Sequence, residues 1–259
     1  MPNSSKLVKI IFLILGLLII GGCVSIYNPA TQRKEIYFID TKQEIALGRN
    51  MDVQVRAKYR ILNNPQMQAR LDSIGRKIAQ ASDRKDLNYT FQIVEDKEFN
   101  AFAIPGGFIY VNSGLIEAVT DNELACVVAH EVGHVAARHS VKRLQAGLGY
   151  QILLNIALAA TPAEVSINKD LIAQAVDIAF NVTSLGYSRQ DELLSDRLAI
   201  KYAQRAGFDP HGMVSFFEKL KIEAAKKWPQ IRIPFLSSHP PLEQRIKQAN
   251  QEISNTNPK

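Results

Sequence analysis

The chain has 259 residues, of which 46% are apolar and 22% are charged, and its formal net charge is +6. These values are typical of a globular protein with one sizeable domain or two small ones. Lysine and arginine are spread along the chain and form no basic run, which argues against a nucleic-acid-binding protein. We therefore expect no nucleic-acid partner.

The N-terminal residues have the pattern of an export signal. Lys6 and Lys9 lead into the apolar run IIFLILGLLII, which is followed by two glycines and Cys23. A short basic segment, an apolar stretch shorter than the roughly 20 residues of a membrane span, and small residues before a break are typical of a secretory signal. An uncleaved signal anchor is the alternative.

The sequence IGGC at the end of this run resembles the bacterial lipobox, in which the cysteine is acylated and becomes the new N-terminus. We predict a lipoprotein signal peptide over residues 1–22 and a tether over residues 23–40 that is lipidated at Cys23. Val24 stands where an aspartate would favour retention in the inner membrane. The expected location is therefore the cell envelope, with the lipid on Cys23 holding the protein at the periplasmic face of the outer membrane.

The second cysteine, Cys126, has no partner for a disulfide if Cys23 is lipidated. It lies among apolar residues, which indicates a buried, small hydrophobic side chain. Its position four residues before His130 places it a helical turn away from the histidines that follow, so we do not expect it to bind metal.

The first half of the chain predicts helices followed by a small sheet. A Thr-x-x-Glu capping box at Thr41 opens a helix that runs to Pro65, and a second helix follows with apolar residues at helical spacing. The segment YTFQIVED alternates as a strand does, and FNAFAIPGGFIYVNSGLIEAV predicts strand, turn, strand and the start of a helix. Thr120 or Asp121 then caps the helix TDNELACVVAHEVGHVAARHS.

The second half predicts further helices. The apolar stretch over residues 144–160 is too short for a membrane span and is interrupted by polar side chains, so we interpret it as a buried or membrane-facing helix. Helices are also predicted for DLIAQAVDIAFNVTSL, YSRQDELLSDRLAIKYAQRAG, DPHGMVSFFEKLKIEAAKK and PLEQRIKQANQEIS. We expect one domain over residues 41–259, with a helical segment over residues 141–186 inserted between two helices that carry functional residues.

The motif HEVGH indicates a metal site. On a helix, His130 and His134 project from one face, one turn apart, and their rings can converge on one ion. Glu131 is rotated by about 100° around the helix axis, so its carboxylate lies beside the metal and can take a proton from the attacking water. The alternative is an ordinary helix whose histidines are hydrogen bonded.

The third metal ligand does not follow from the continuation of the motif. The pattern HExxHxxGxxH is excluded because Ala137 and Ser140 stand at its glycine and histidine positions. His139 is turned about 140° from His134 on a continuous helix. We therefore expect His139 to bond backbone or solvent rather than metal.

A glutamate on a separate helix is the other source of the third ligand. Glu192 has Asp196 four residues later on the same helix face, whereas Glu164 lies in a loop-like segment and has no aspartate at that spacing. Glu192 is therefore the predicted ligand. Asp196 can accept the outer N–H of a ligand histidine and fix its tautomer.

Five stretches in order resemble a known family: NAFAIPGGFIYVNSGLI, ELACVVAHEVGHVAARHS, YSRQDELLSDRLA, GFDPHGM and SSHPPLEQRI. The family is that of the gluzincin metallopeptidases, which includes the HtpX and CAAX prenyl proteases. The chain is similar to its short LoiP-like periplasmic lipoprotein members, without the C-terminal repeats of BepA-like members. The resemblance implies a mainly α fold with a small β-sheet, the zincin variety of α+β, and one Zn²⁺ per chain on His130, His134 and Glu192.

The resemblance also implies roles for residues outside the two helices. His239 and Arg245 match family positions that lie over the metal and stabilise an oxyanion, a role that suits a cation or an N–H donor. A histidine ordered only by the prolines that follow it is the alternative for His239. The residues Asn100, Ala101, Phe102 and Ala103 resemble an edge strand that pairs with an extended peptide substrate.

Together, these observations predict a zinc endopeptidase that degrades misfolded or misassembled envelope polypeptides. An outer-membrane protein or an assembly machinery is the expected partner. Two alternatives stay open. One is a non-proteolytic chaperone or assembly factor with the same fold. The other is a latent protease whose site is blocked by its own loop, from residues 144–186 or the His239 segment.

Overall fold

The computed structural model describes residues 24–147, 186–227 and 242–256. Cys23, Glu164, His239, the signal segment and most of the apolar stretch over residues 144–160 lie outside this part. The described elements are β1 (Val24–Asn28), β2 (Arg33–Tyr37), α1 (Thr41–Lys58), α2 (Pro65–Ala81), β3 (Thr90–Val94), β4 (Ala101–Ile104), β5 (Phe108–Asn112), α3 (Ser113–Ala118), α4 (Asp121–Ala136), α5 (Arg189–Arg205), α6 (His211–Lys227) and α7 (Leu242–Thr256). This composition confirms the predicted α+β fold class. In these ranges, no helix combines the length and the apolar character that crossing a membrane requires.

Residues 24–37, which the sequence assigned to a tether, form the antiparallel hairpin β1–β2. The hairpin packs on the domain at the C-terminal end of α4. The side-chain amide of Asn28 donates to the carbonyl of Ala136 (3.2 Å), and the guanidinium of Arg138 lies 4.1 Å from the ring centre of Tyr37. The hairpin therefore covers the end of the helix that carries the histidine motif.

The cap of helix α1 is Asp40, one residue before the predicted cap, Thr41. Asp40 accepts from the backbone N–H of Gln43, and the Gln43 side chain accepts from the backbone N–H of Asp40, so the capping box is Asp40–Gln43. The predicted box of Thr41 and Glu44 is wrong. Glu44 is buried instead and pairs with Arg84 (2.9 Å), because its place in the first turn faces the interior.

The buried carboxylate of Glu44 joins two arginines at the C-terminal end of α4. Arg138 lies 2.9 Å from Glu44, and Arg84 also donates to the carbonyl of Val135 (3.3 Å). Cations at this end of a helix satisfy terminal carbonyls and interact favourably with the helix dipole. Arg138 has a φ of 55°, so the cluster holds a left-handed residue directly after the motif helix.

The three-stranded sheet has the order β3–β5–β4, in which β3 is parallel and β4 antiparallel to β5. The predicted strand–turn–strand is confirmed, and the turn uses Gly106 and Gly107 at φ 83° and 91°, values that glycine adopts without strain. This order leaves β4 at one edge of the described sheet. Strand β4 also packs against α4.

Helix α4 runs through the core and packs against α2, α5 and α6. Every residue from Glu123 to Ala136 is buried, which fits a segment that is apolar on almost all sides. Cys126 is fully buried, as predicted, and burial raises the pKa of its thiol to about 12. The motif side chains therefore project from a helix with neighbours all around it.

Glu123 fixes the start of α4 through Thr120, with which it forms a capping box. Its carboxylate also accepts from the hydroxyl of Ser215 (2.6 Å) and the ammonium of Lys219 (2.7 Å). Burial alone would raise the pKa of Glu123, but the hydrogen bonds from Lys219 and Ser215 lower it below its usual value. The ionised form of Glu123 is therefore the form that stabilises the fold.

The Glu123→Gln variant is expected to be less stable than the wild type by about 1–3 kcal/mol at neutral pH, since hydrogen bonds to a charged group are lost. A lowered pKa contributes stability that is complete above the unfolded value of about 4.3 and is lost as the pH falls through the folded value. The difference should therefore shrink below about pH 4. Urea unfolding of both proteins across this pH range measures it, and a difference that stays constant down to pH 3 would contradict the assignment. Glu117→Gln, in an exposed pair with Lys97, should change little at any pH.

Candidate active site

Two capped helices position the candidate site. The Thr120–Glu123 box starts α4, and a second capping box, between Ser188 and Asp191, starts α5. Gly133, inside the motif, allows the two helices to approach closely: a Cβ there would lie 3.2 Å from the carbonyl oxygen of Ser195. The close packing brings the first turn of α5 to the histidine face of α4.

Three side chains converge where these helices meet. Nε2 of His130 and Nε2 of His134 are 3.0 Å apart, and the carboxylate oxygens of Glu192 lie 3.5 Å and 3.4 Å from them. Each side chain is at most 1% exposed. Histidine, cysteine, aspartate and glutamate are the side chains that commonly bind metal ions. Among the described residues, His130, His134 and Glu192 form the group of such side chains whose spacing could hold an ion.

The spacing of the donor atoms fits a tetrahedral zinc ion. With Zn–N and Zn–O distances of about 2.0–2.2 Å, tetrahedral geometry places the ligand atoms about 3.3 Å apart. The charges fit as well. Glu131, Glu192 and Asp196 are buried carboxyl groups beside the guanidinium of Arg245, and a divalent cation would balance their remaining negative charge.

Asp196 lies at the outer nitrogen of His130, where the sequence placed it next to a ligand histidine. Its Oδ1 is 2.9 Å from Nδ1 of His130. Burial raises the pKa of a carboxyl group, but Arg245 and His130 hold the pKa of Asp196 below its usual value. Asp196 is therefore an anion that can accept the outer N–H of His130 and leave Nε2 available to a metal.

Arg245 is completely buried, and both its Nε and one terminal nitrogen donate to Asp196 at 2.7 Å. Its other terminal nitrogen is 3.4 Å from Glu192, and its guanidinium stacks 4.5 Å from the ring centre of Phe217. These contacts place Arg245 on the Nδ1 side of His130, whereas the resemblance implied a position over the metal. They fit a residue that orients the two acidic side chains.

Glu131 is fully buried next to His130 on α4 and is not one of the three converging ligands. Burial raises the pKa of the Tyr187 hydroxyl, and the negative charges of Glu131 and Glu192 raise it further. The sequence predicted this residue as the general base, and that role stays a prediction.

His139 is close to the three converging side chains, and the prediction that it bonds backbone or solvent is wrong. Its Nδ1 lies 2.9 Å from Nδ1 of His134. The prediction assumed a continuous helix, but α4 ends at Ala136 and the left-handed Arg138 turns the chain before helical backbone resumes over residues 139–147. That turn carries His139 back to the outer edge of the His134 ring.

Tyr187 is a further residue that the sequence did not indicate. Its ring stacks on that of His134, with centroids 3.9 Å apart and an interplanar angle of 19°, and its hydroxyl is 2.7 Å from that of Ser140. Tyr187 is the first residue of the stretch YSRQDELLSDRLA, but helical spacing gave it no role, because it lies just before the cap of α5 and reaches His134 through tertiary packing.

The other predicted residues are placed as follows. Asn100 precedes β4, and its carbonyl accepts from the backbone N–H of Asn112 (2.9 Å). Ala101 and Ala103 are buried and Phe102 is partly exposed on β4, the edge strand next to α4. His239 and Cys23 lie outside the described residues.

An HExxH helix whose histidines converge with a glutamate from a second helix defines a metallopeptidase site. The comparison with known families agrees: residues 65–253 match Peptidase family M48. The chain therefore belongs to peptidase family M48, a family of metallopeptidases, and the family predicted from the sequence is confirmed.

Three relatives illustrate the similarity. The beta-barrel assembly-enhancing protease of Escherichia coli K12 is 28% identical over 228 residues, which cover 83% of this chain and 45% of that protein. Metalloprotease LoiP of the same strain is 28% identical over 192 residues, 74% of this chain and 72% of LoiP. The mitochondrial metalloendopeptidase OMA1 of Schizosaccharomyces pombe is 25% identical over 248 residues, 92% of this chain and 71% of that protein. The chain spans less than half the length of the beta-barrel assembly-enhancing proteases that it matches.

Proposed function

We propose that the protein is a zinc-dependent endopeptidase of the bacterial cell envelope that hydrolyses misfolded or misassembled envelope polypeptides. The observation that carries the proposal is the convergence of His130, His134 and Glu192 at the spacing of a tetrahedral zinc site. These three residues would hold one Zn²⁺ per chain. Zinc bound there would supply a Lewis acid that polarises a carbonyl group and acidifies water.

The protein's own residues then perform the proton transfers. Glu131 takes a proton from the attacking water and passes it to the leaving amine, as a general base and then a general acid. Asp196 keeps His130 in the tautomer whose Nε2 faces the site. Arg245 and Glu192 keep their places because each is buried against a partner of opposite charge.

Substrate binding is assigned to the edge strand β4. An extended peptide that pairs with the main chain at Asn100–Ala103 would gain affinity without a demand for particular side chains. Strand β4 packs against α4, so a peptide along it would pass next to the motif helix. This mode of binding suits a protease that acts on many unfolded clients.

The location and the clients are proposed from the N-terminal signal and from the relatives. A lipid on Cys23 would hold the protein at the periplasmic face of the outer membrane. Several of the relatives are named beta-barrel assembly-enhancing proteases. These names support the proposal that the clients or partners are outer-membrane proteins or their assembly machinery. His239 is proposed as an oxyanion-stabilising residue on the family resemblance.

The test is metal content measured together with proteolysis. The purified full-length protein should contain about one zinc per chain by mass spectrometry of the metal and should cleave an unfolded protein such as casein. Removal of zinc with 1,10-phenanthroline should stop cleavage, and added zinc should restore it. A metal-free and inactive wild type that zinc does not activate would contradict the proposal.

The same experiment separates the two alternatives. A protein that holds one zinc, cuts nothing and suppresses aggregation of an unfolded client would be a chaperone. A protein that holds one zinc and begins to cut only after deletion of part of residues 144–186 or of the His239 segment would be a latent protease.

A further inference from the structure

The two histidines of the metal site differ in what contacts their outer ring nitrogen. Nδ1 of His130 is 2.9 Å from the carboxylate of Asp196. Nδ1 of His134 is 2.9 Å from another imidazole nitrogen, Nδ1 of His139. His139 is 1% exposed, so this contact is shielded from water. Metal-bound histidines in proteins usually donate their outer N–H to a carboxylate, a carbonyl or water.

The direction of the His134–His139 hydrogen bond follows from the chemistry of imidazole. A neutral histidine that offers the lone pair of Nε2 to a metal carries its proton on Nδ1. His134 is then the donor, and Nδ1 of His139 has to be the acceptor. The proton of a neutral His139 is consequently on Nε2. This nitrogen lies 3.3 Å from Oδ1 of Asp191 without a hydrogen bond to it, so the carboxylate faces the far side of the His139 ring.

We propose that His139 is a positioning residue of the metal centre, which, with Asp191 behind it, holds the ring of His134 as Asp196 holds that of His130. The inference rests on the proposed function, because it assumes that His134 binds metal. Helix α5 would then supply the third ligand, Glu192, and the acidic group behind each of the two histidines.

Two further contacts involve His139 and Asp191. The hydroxyl of Ser195 is 3.5 Å from Nδ1 of His139, the same nitrogen that contacts His134. The second carboxylate oxygen of Asp191 accepts from the hydroxyl of Ser188 (2.6 Å) in the capping box of α5. Asp191 therefore has one oxygen for the helix cap and one near His139, and the start of α5 is tied to the orientation of the His134 ring.

The test is zinc affinity, measured by competition with a chelating dye, in a His139→Phe variant. The phenyl ring fills the buried space but accepts no hydrogen bond. Loss of such an outer partner typically weakens metal binding by about 10–100-fold, and we expect a loss in that range. The melting temperature of the metal-free protein should stay close to that of the wild type, which a merely structural role of His139 would not allow. His211→Phe, at a 62% exposed histidine, is the matched control and should leave zinc affinity unchanged.

Asp191→Asn keeps the size of the side chain and removes its charge. At 3.3 Å the contact with His139 is longer than that between Asp196 and His130, so we expect a smaller loss of zinc affinity in the same direction. Ser188→Ala removes the hydroxyl that holds Asp191 in the cap, so it should lower the melting temperature and weaken zinc binding by less than Asp191→Asn does.

Nitrogen-15 correlation spectra of the histidine rings test the tautomers directly. In the zinc-loaded wild type, His134 should be protonated on Nδ1 and His139 on Nε2. A His139 protonated on Nδ1, or a His139→Phe variant with wild-type zinc affinity, would overturn the inference while the proposed function stands. A wild type that binds no zinc would overturn both.

Discussion

Glu131→Gln is expected to abolish most proteolysis while zinc binding is retained. The amide has the size of the carboxylate but cannot accept the proton of the attacking water, and general acid–base catalysis contributes about 10²–10⁴-fold to such reactions. Glu131 is not one of the three converging ligands, so the zinc content should stay near one per chain. Cleavage of casein and metal content, measured on the same preparations of variant and wild type, give the result.

Glu123→Gln is the matched control for this variant, because it makes the same substitution at a buried glutamate two turns earlier on α4. Its carboxylate pairs with Lys219 and Ser215, away from the ligands. It should reduce stability and leave the rate per folded molecule unchanged. A Glu131→Gln enzyme that cleaves casein at more than about a tenth of the wild-type rate would show that another group is the base.

The convergence of His130 and His134, and the choice of Glu192 as their partner, were predictable because both depend on helical spacing. Positions four apart share a face on any α-helix, so HEVGH predicts the convergence of two histidines without knowledge of the fold. The same spacing singled out Glu192 over Glu164, since Glu192 has Asp196 on its own face. The structure brings Glu192 and Asp196 to His130, at 3.5 Å and 2.9 Å.

The surroundings of the ligands were not predictable in the same way. The contact between His139 and His134 depends on where α4 stops and on a φ of 55° at Arg138, a conformation that an arginine rarely adopts. That conformation is held by Glu44, which comes from α1, and by the hairpin residue Tyr37, so two segments far from Arg138 in the sequence contribute to it. Helical periodicity, applied beyond the end of the helix, gave the wrong partner for His139.

The hairpin β1–β2 shows a related limit of sequence patterns. Its strands have five residues each, and β2, with the sequence RKEIY, carries three charged side chains, which resembles a polar tether. What makes it part of the domain are contacts over a long sequence distance, such as that of Asn28 with Ala136 and that of Glu35 with Lys142 (2.7 Å). Such contacts leave no local periodicity in the sequence.

Arg245→Met is expected to lower the unfolding free energy of the metal-free protein by about 3–5 kcal/mol and to weaken zinc binding. The substitution removes the cation that pairs with Asp196 through two bonds of 2.7 Å and leaves buried carboxylates without it. Zinc affinity should fall because Asp196 would no longer be held against His130. Urea unfolding and chelator competition measure the two effects.

A double variant distinguishes this role from direct stabilisation of an oxyanion. If Arg245 acts by neutralising Asp196, adding Asp196→Asn to Arg245→Met should recover part of the lost stability, because the buried charge is removed together with its partner. An arginine that acted only on the transition state would behave differently. Its loss would lower kcat and leave both the unfolding free energy and the zinc affinity at wild-type values.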